Sequence, residues 1–303
     1  MKRILTILLS FTLLLPLISC GDEPAAAEDN TLTIAATTYP VYLFTTAITE
    51  GVEGVEVKLI VNQQTSCLHD YTLTVQDMKI IEQADVIVLN GAGLEDFMSD
   101  ALAASGAEVI DCSEGVELHA ATGHHDHDHG DDESGHYDPH IWLCEERALV
   151  MMNNILHRLG ELDTTHLSAY TDNFHSAASL LPDDPLADTE LSCPYLITFH
   201  DGFGYFAHDN GLTLLKSIEE EEGSEASAAE MKEIIALIEE YDIPAIFTEV
   251  NGSDATAQAI ARETGVEVYQ LNMIMSGEGS GIQPYVDAMN ANYDTILRAL
   301  GGH

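Results

Sequence analysis

Fourteen histidines in 303 residues are the side chains of this sequence best able to do chemistry near neutral pH, and they sort into two groups. The first is a tract in which His119, His124, His125, His127, His129 and His136 are interleaved with Asp126, Asp128, Asp131 and Asp132. It carries no apolar periodicity and reads as a surface loop. Imidazole and carboxylate suit zinc, copper or nickel, and their density raises local ligand concentration without defining one geometry. The tract 119–136 is therefore expected to be an auxiliary, low-affinity metal loop. The second group stands in structured contexts. His69, in Cys67-Leu68-His69-Asp70-Tyr71, lies on the turn after an apolar strand pattern. His140, in Asp138-Pro139-His140-Ile141-Trp142, lies where a loop gives way to a helix, and His200 ends the strand pattern Leu196-Ile197-Thr198-Phe199. Glu249 closes another such run, Ile246-Phe247-Thr248. Three imidazoles with an oxygen match tetrahedral zinc, whereas two imidazoles with two carboxylates would suit harder manganese.

The elements that must position these groups alternate between strand and helix. Strand patterns cover residues 31–37, 55–61, 85–91 and 108–111, with helical stretches from Tyr39 through Ile48, over 74–83 and around 94–105. Periodicity stops from Gly115 to Gly135, and two helical stretches follow, 142–159 and 165–181, the second ended by Pro182. Alternation restarts after Pro194 with strands at 195–199, 245–249 and 266–271 and helices at 225–241, 253–264 and 284–300. Strands separated by helices imply parallel sheets covered on both faces, and 303 residues suffice for two α/β domains. Ligands of such proteins sit at the carboxyl ends of strands, where His69, His200 and Glu249 are expected.

The N-terminus and the charge balance bound the setting. Lys2-Arg3 precedes an apolar run, Ile4 to Ile18, that is shorter than the ~20 residues a spanning helix needs. It ends in Leu17-Ile18-Ser19-Cys20-Gly21, which resembles a bacterial lipobox. Residues 1–19 are expected to be a lipoprotein signal peptide, Cys20 the lipidated first mature residue, and 20–30 a flexible tether. The formal charge is −42, and −44 once Lys2 and Arg3 leave with the signal. So acidic a chain repels phosphates, which excludes nucleic acid as a partner, and its field concentrates cations. Cys67, Cys112, Cys144 and Cys193 remain, none in a CxxC spacing, so a sulfur-based zinc site has no local support. Cys67 and Cys144 each stand within four residues of a candidate ligand, and their pairing is weighed against free thiols.

The segments Thr38-Tyr39-Pro40, His69-Asp70-Tyr71, Asp138-Pro139-His140-Ile141-Trp142, Thr198-Phe199-His200-Asp201-Gly202-Phe203-Gly204-Tyr205-Phe206 and Phe247-Thr248-Glu249 resemble, together with 285–300, the metal-binding lipoproteins of zinc and manganese ABC importers (the ZnuA-like, cluster A-I solute-binding proteins). That resemblance implies two parallel-sheet α/β domains, 31–163 and 184–303, joined by a rigid backbone helix within 164–183, with the metal in the inter-domain cleft. It maps three histidine ligands onto His69, His140 and His200, and His200 favours zinc over manganese. The fourth position stays open, because Asn272 stands where members often place an Asp; water, Glu249 or Asn272 could fill it, and Glu249 could instead hold an imidazole from behind. The expected function is capture of extracytoplasmic Zn²⁺ by a lipid-anchored, monomeric subunit on a bacterial cell membrane, which delivers it to an ABC permease and its ATPase. Manganese capture and a metal-binding surface adhesin are the alternatives. No enzyme activity is expected: HExxH is absent, and Glu249 is the sole plausible base for a zinc hydrolase.

Overall fold

Apolar runs too short for a helix become central strands buried on both faces, as Val86–Leu89 and Ala245–Glu249 illustrate. The computed structural model describes residues 31–62, 68, 71–120, 137–187, 189–217 and 226–301. The 1–19 signal, the 20–30 tether, Cys67, His69 and five of the six loop histidines (His124, His125, His127, His129 and His136) lie outside the described residues. From Thr31 onward the chain forms one compact unit. Its first half runs β1 (Leu32–Ala36), α1 (Tyr39–Ile48), β2 (Val55–Leu59), α2 (Val75–Gln83), β3 (Val86–Leu89), α3 (Ser99–Ser105) and β4 (Glu108–Asp111). Two helices follow, α4 (Glu145–Leu162) and α5 (Leu167–Ala178). The second half runs β5 (Tyr195–Thr198), α6 (Gly204–Asp209), β6 (Thr213–Ser217), α7 (Ala228–Glu240), β7 (Ala245–Glu249), α8 (Ala255–Thr264), β8 (Glu267–Leu271) and α9 (Gln283–Leu300).

Each half holds a four-stranded, all-parallel sheet, in the orders β2-β1-β3-β4 and β6-β5-β7-β8. In both, the chain first steps to one edge and then returns past the starting strand to the other. The crevices where the winding direction reverses therefore open beyond the carboxyl ends of β1 and β3, and of β5 and β7. Two elements depart from the pattern reading. α6 and the edge strand β6 were not expected, because the half-exposed Thr-Leu-Leu-Lys-Ser of β6 is short and weakly alternating. The expected helix at 142–159 begins instead as a 3₁₀ turn, Ile141–Leu143, and α4 starts only at Glu145. α5, inside the expected linking segment, packs against α4 and α1, where Asn173 Nδ2 donates to the carbonyls of Ile48 (2.9 Å) and Glu50 (2.8 Å) at the carboxyl end of α1. Among the described residues no helix is long and apolar enough to cross a membrane.

Polar ties, two of them fully buried, join the halves. Trp142 Nε1 donates to the Met273 carbonyl (2.8 Å), and Tyr285 Oη donates to the Trp142 carbonyl (2.8 Å). Tyr39 Oη donates to the Glu278 carbonyl (2.7 Å), and the Gly281 N–H donates to Thr46 Oγ1 (2.8 Å). The Tyr285 ring also meets Phe44 edge-on at 5.1 Å. Gly277 passes so close to Tyr39 that a Cβ there would lie 2.7 Å from the ring. Trp142 and Tyr285 are both fully buried, so each carbonyl they serve has no water to fall back on. Tyr285→Phe keeps the ring and strands the Trp142 carbonyl, and it should destabilise the fold by about 1–3 kcal/mol. Urea unfolding of both proteins measures this; equal midpoints would show that the tie contributes nothing.

Candidate metal centre

His140 is built by its own segment. Asp138 Oδ1 accepts the His140 backbone N–H (2.9 Å) and faces His140 Nδ1 (2.7 Å), which fixes the imidazole by a local Asp-x-His turn. Asp138 is itself held: its N–H donates to the His119 carbonyl (3.0 Å) and its carbonyl accepts from Tyr205 Oη (2.8 Å). His200 follows β5, where Thr198 Oγ1 donates to the His200 carbonyl (2.8 Å). Its Nδ1 stands 3.2 Å from Glu249 Oε1, at the end of the neighbouring strand β7. His140, His200 and Glu249 are 4, 4 and 6% exposed, so these contacts form away from bulk solvent.

Two imidazoles from different halves thus meet edge to face, their ring centres 5.1 Å apart and their Nε2 atoms 3.3 Å apart. A carboxylate beside each Nδ1 favours the Nδ1–H tautomer, in which Nε2 carries the lone pair that a metal ion needs. An ion between the two Nε2 atoms would be held from both halves at once. Two nitrogens at about 2.0–2.1 Å from one tetrahedral zinc ion stand about 3.3 Å apart, so the observed spacing already fits. Backbone at Gly202 makes room for the pair: a Cβ there would lie 2.9 Å from His200 Cδ2, 3.0 Å from His140 Cδ2 and 2.3 Å from Met273 Cε. At Gly204 a Cβ would come within 2.7 Å of Asp138 Oδ2.

The other sequence candidates sit differently. Asn272 Oδ1 accepts the N–H of Ile274 (2.8 Å), which has φ +60°, while buried Asn292 brackets the Asn272 backbone with bonds of 2.7 and 2.9 Å. Asn272 is thus committed to a turn after β8. His119 stacks on Tyr205 at 4.5 Å, meets His208 edge-on at 4.7 Å and faces Arg147 Nη2 with its Nε2 at 3.3 Å. Burial, then the Arg147 and His208 charges, hold its pKa below that of free imidazole. Arg147 also lies over the Tyr205 ring and pairs with Asp209. Next to it the antiparallel bridge between Ala120 and Tyr137 closes the His-rich tract. Among the described residues Cys112, Cys144 and Cys193 are buried free thiols, and Cys67, the other member of the weighed pair, lies outside them. Cys144 Sγ instead accepts from Arg147 Nη1 (3.3 Å), and burial pushes its pKa up to about 12, so it is no thiolate ligand. Among the described residues no group of three or more His, Cys, Asp or Glu side chains is arranged to hold a metal ion.

Glu95 is the buried group that pattern reading missed. Its carboxylate, 4% exposed, accepts from Thr37 Oγ1 (2.6 Å), the Asn90 N–H (2.7 Å) and the Gly91 N–H (3.0 Å), at the carboxyl ends of β1 and β3. The available signal was Asn90-Gly91 closing a strand with an acid four residues beyond Gly91. Burial raises its pKa to about 7 against those three donors, and the Asp111 charge raises it slightly further. The folded carboxyl therefore keeps its proton to higher pH than the unfolded one. Its contribution to stability is fully present below the ordinary carboxylate range and is lost as pH rises toward 7. Glu95→Gln should flatten the pH dependence of unfolding free energy between pH 4.5 and 7 by roughly 3 kcal/mol at most. Parallel slopes for the two proteins would refute the assignment. Gly202→Ala should weaken metal binding tenfold or more by parting the imidazoles, with helix content unchanged by circular dichroism. An unaltered dissociation constant would show that the cradle is slack.

Comparison with known proteins adds the family context. Residues 34–299 match the family model described as ZnuA, zinc-uptake complex component A, periplasmic. The zinc-binding lipoprotein AdcA of Streptococcus pneumoniae is 28% identical over a 318-residue alignment that takes in 98% of this chain and 60% of that protein. This chain therefore spans only about 60% of AdcA's length. The iron-binding protein YfeA of Yersinia pestis is 27% identical over 254 residues, covering 77% of this chain and 76% of YfeA. Among solved structures, the solute-binding protein FpvC of Pseudomonas aeruginosa, in complex with Mn²⁺, superposes with a TM-score of 0.77 at 29% identity, covering 89% of this chain and 98% of FpvC.

Proposed function

Since this chain belongs to the ZnuA family of metal-binding components of ABC importers, and is not an enzyme, we propose that it captures Zn²⁺ outside the cytoplasm and delivers it to a membrane permease driven by an ATPase. The observation that carries this reading is the opposed pair of Nε2 atoms, 3.3 Å apart and each backed by a carboxylate on Nδ1. In it His140 and His200 are two ligands and His69, from the segment after β2, supplies the third. Asp138 and Glu249 stand behind the ligands, fix the imidazole tautomers and raise their basicity. Nitrogen-rich coordination of that kind favours zinc over manganese. Asn272 has no ligand role here, and a water completes the sphere. The fuller proposal includes a lipid anchor at Cys20, a signal over 1–19, a tether over 20–30, domains at 31–163 and 184–303 bridged within 164–183, and a monomer. The tract 119–136 gathers metal weakly as an auxiliary site.

Capture follows from the protein's own groups. The acidic surface raises local cation concentration, and the site is a pair of lone-pair donors held in register before the ion arrives. Because the ligands must be neutral imidazoles, affinity should fall as pH drops and protons compete with the metal.

Manganese is the second reading, favoured by the likeness to the Mn²⁺ complex of FpvC. Chelator competition on the full chain separates the two, with a chelator tight enough to mask the surface tract. One tight zinc equivalent, preferred over manganese and lost in His200→Ala, is the expected result. Manganese preference would reassign the cargo, and a flat affinity from pH 7.5 to 5.5 would count against imidazole ligation.

A further inference from the structure

We propose that Glu95 is a positioning residue for metal capture: its buried carboxylate fixes the Asn90–Gly91 turn, and Asn90 in turn holds the Pro139 carbonyl beside His140. The inference rests on the reading of His140 as a ligand and names what aims it from the first sheet.

The chain of contacts is short. Glu95 Oε1 accepts from both Thr37 Oγ1 and the Asn90 N–H, and Oε2 accepts from the Gly91 N–H. Asn90, fully buried, then spends both amide protons on carbonyls, Gly91 at 3.0 Å and Pro139 at 2.9 Å, the latter 49 residues away in sequence. Pro139 lies between Asp138 and His140, whose imidazole and backbone both turn on Asp138. The bond from Asn90 therefore ties the Asp-Pro-His turn to the end of β3, while Thr37 ties the same carboxylate to the end of β1.

Two features show that these contacts are costly to keep. The Asn90 Oδ1 atom is buried without a hydrogen-bond partner, so the side chain is retained for what its amide donates. Glu95 is a buried acid whose stabilising partners are three neutral donors and no cation, an expensive way merely to cap a strand. Only a carboxylate can serve all three donors. A carboxamide would turn an –NH₂ toward Asn90 N–H or Gly91 N–H, donor against donor. Gly91 has φ +83° and a Cβ there would lie 1.9 Å from Asp111 Oδ1, so the turn has little room to adapt.

The test measures zinc affinity of the full chain by chelator competition at pH 8, for wild type, Glu95→Gln, Asn90→Ala and the double variant. Each single change should weaken zinc binding tenfold or more, as outer partners of metal ligands typically do. The double variant should be no weaker than the weaker-binding single, because both changes cut the same tether. Emission of Trp142, the one tryptophan of the chain, should shift alike in the metal-free singles. A general structural role would lower the unfolding midpoint but leave affinity and emission as in wild type, and that result would overturn the inference. Independent effects that multiply in the double variant would overturn it too. Should Glu95→Gln fail to fold, Thr37→Val removes one donor only and is expected to weaken binding severalfold; an unchanged affinity there refutes the tether. A wild-type chain without a tight zinc site would defeat the functional reading and this inference together, whereas a tight wild-type site unaltered in the variants defeats this inference alone.

Discussion

Two buried imidazoles from different halves stand Nε2 to Nε2 at 3.3 Å, and much of the remaining architecture can be understood as what holds them there. Rotation of either ring is resisted because each Nδ1 faces a carboxylate, Asp138 on one side and Glu249 on the other. Separation is resisted because the rings belong to segments braced by Tyr205 and by the strand pair β5–β7. The spacing that results suits a tetrahedral cation. A site of this kind binds tightly because the protein has already met the cost of arranging the donors during folding.

That arrangement requires two half-molecules to hold their relative position to a fraction of an ångström. Duplicated sheet topology puts the carboxyl ends of β1, β3, β5 and β7 where ligands are expected, but topology alone sets positions only coarsely. The finer alignment comes from directional bonds between the halves. The Trp142 indole and the Tyr285 phenol each reach a buried backbone carbonyl, and the Tyr39 phenol reaches that of Glu278. Trp142 is two residues from His140, and Met273, its acceptor, crowds Gly202 as the two imidazoles do. The clamp between the halves and the site itself therefore share residues, so a change in one is felt in the other.

Charge is distributed with the same economy. The acidic surplus is spread through the sequence, while the interior uses a few carboxylates as hydrogen-bond acceptors: Asp138 and Glu249 behind the imidazoles, Glu95 under the strand ends, Glu145 receiving Tyr293. Cationic partners are scarce, with ten lysines and arginines against 52 acids. Arg147 is placed under the base of the His-rich tract, where its charge helps keep His119 neutral. Burial pushes the Cys112 and Cys144 thiols up, which leaves imidazole nitrogen and carboxylate oxygen as the donors in the described part of the site.

The amino-acid sequence by itself determined the alternation of strand and helix, because burial on both faces of a parallel sheet forces continuous apolar runs such as Val-Ile-Val-Leu and Ala-Ile-Phe. It also marked His140 and His200, since an imidazole at the end of a strand or at a loop-to-helix boundary is placed by local geometry alone. The edge strand β6 escaped because a half-exposed edge need not carry that pattern. Only the tertiary structure decided that the two imidazoles face each other at 3.3 Å, that Glu249 meets Nδ1 of His200, that Asn272 is bound into a turn, and that Cys144 stays unpaired. Glu95 and Asn90 were invisible for the same reason: a polar residue near a strand end looks like any turn until its donors and acceptors are counted. Local propensity is written in neighbours along the chain, whereas hydrogen-bond partnership and repulsion depend on distances between residues that folding alone brings together.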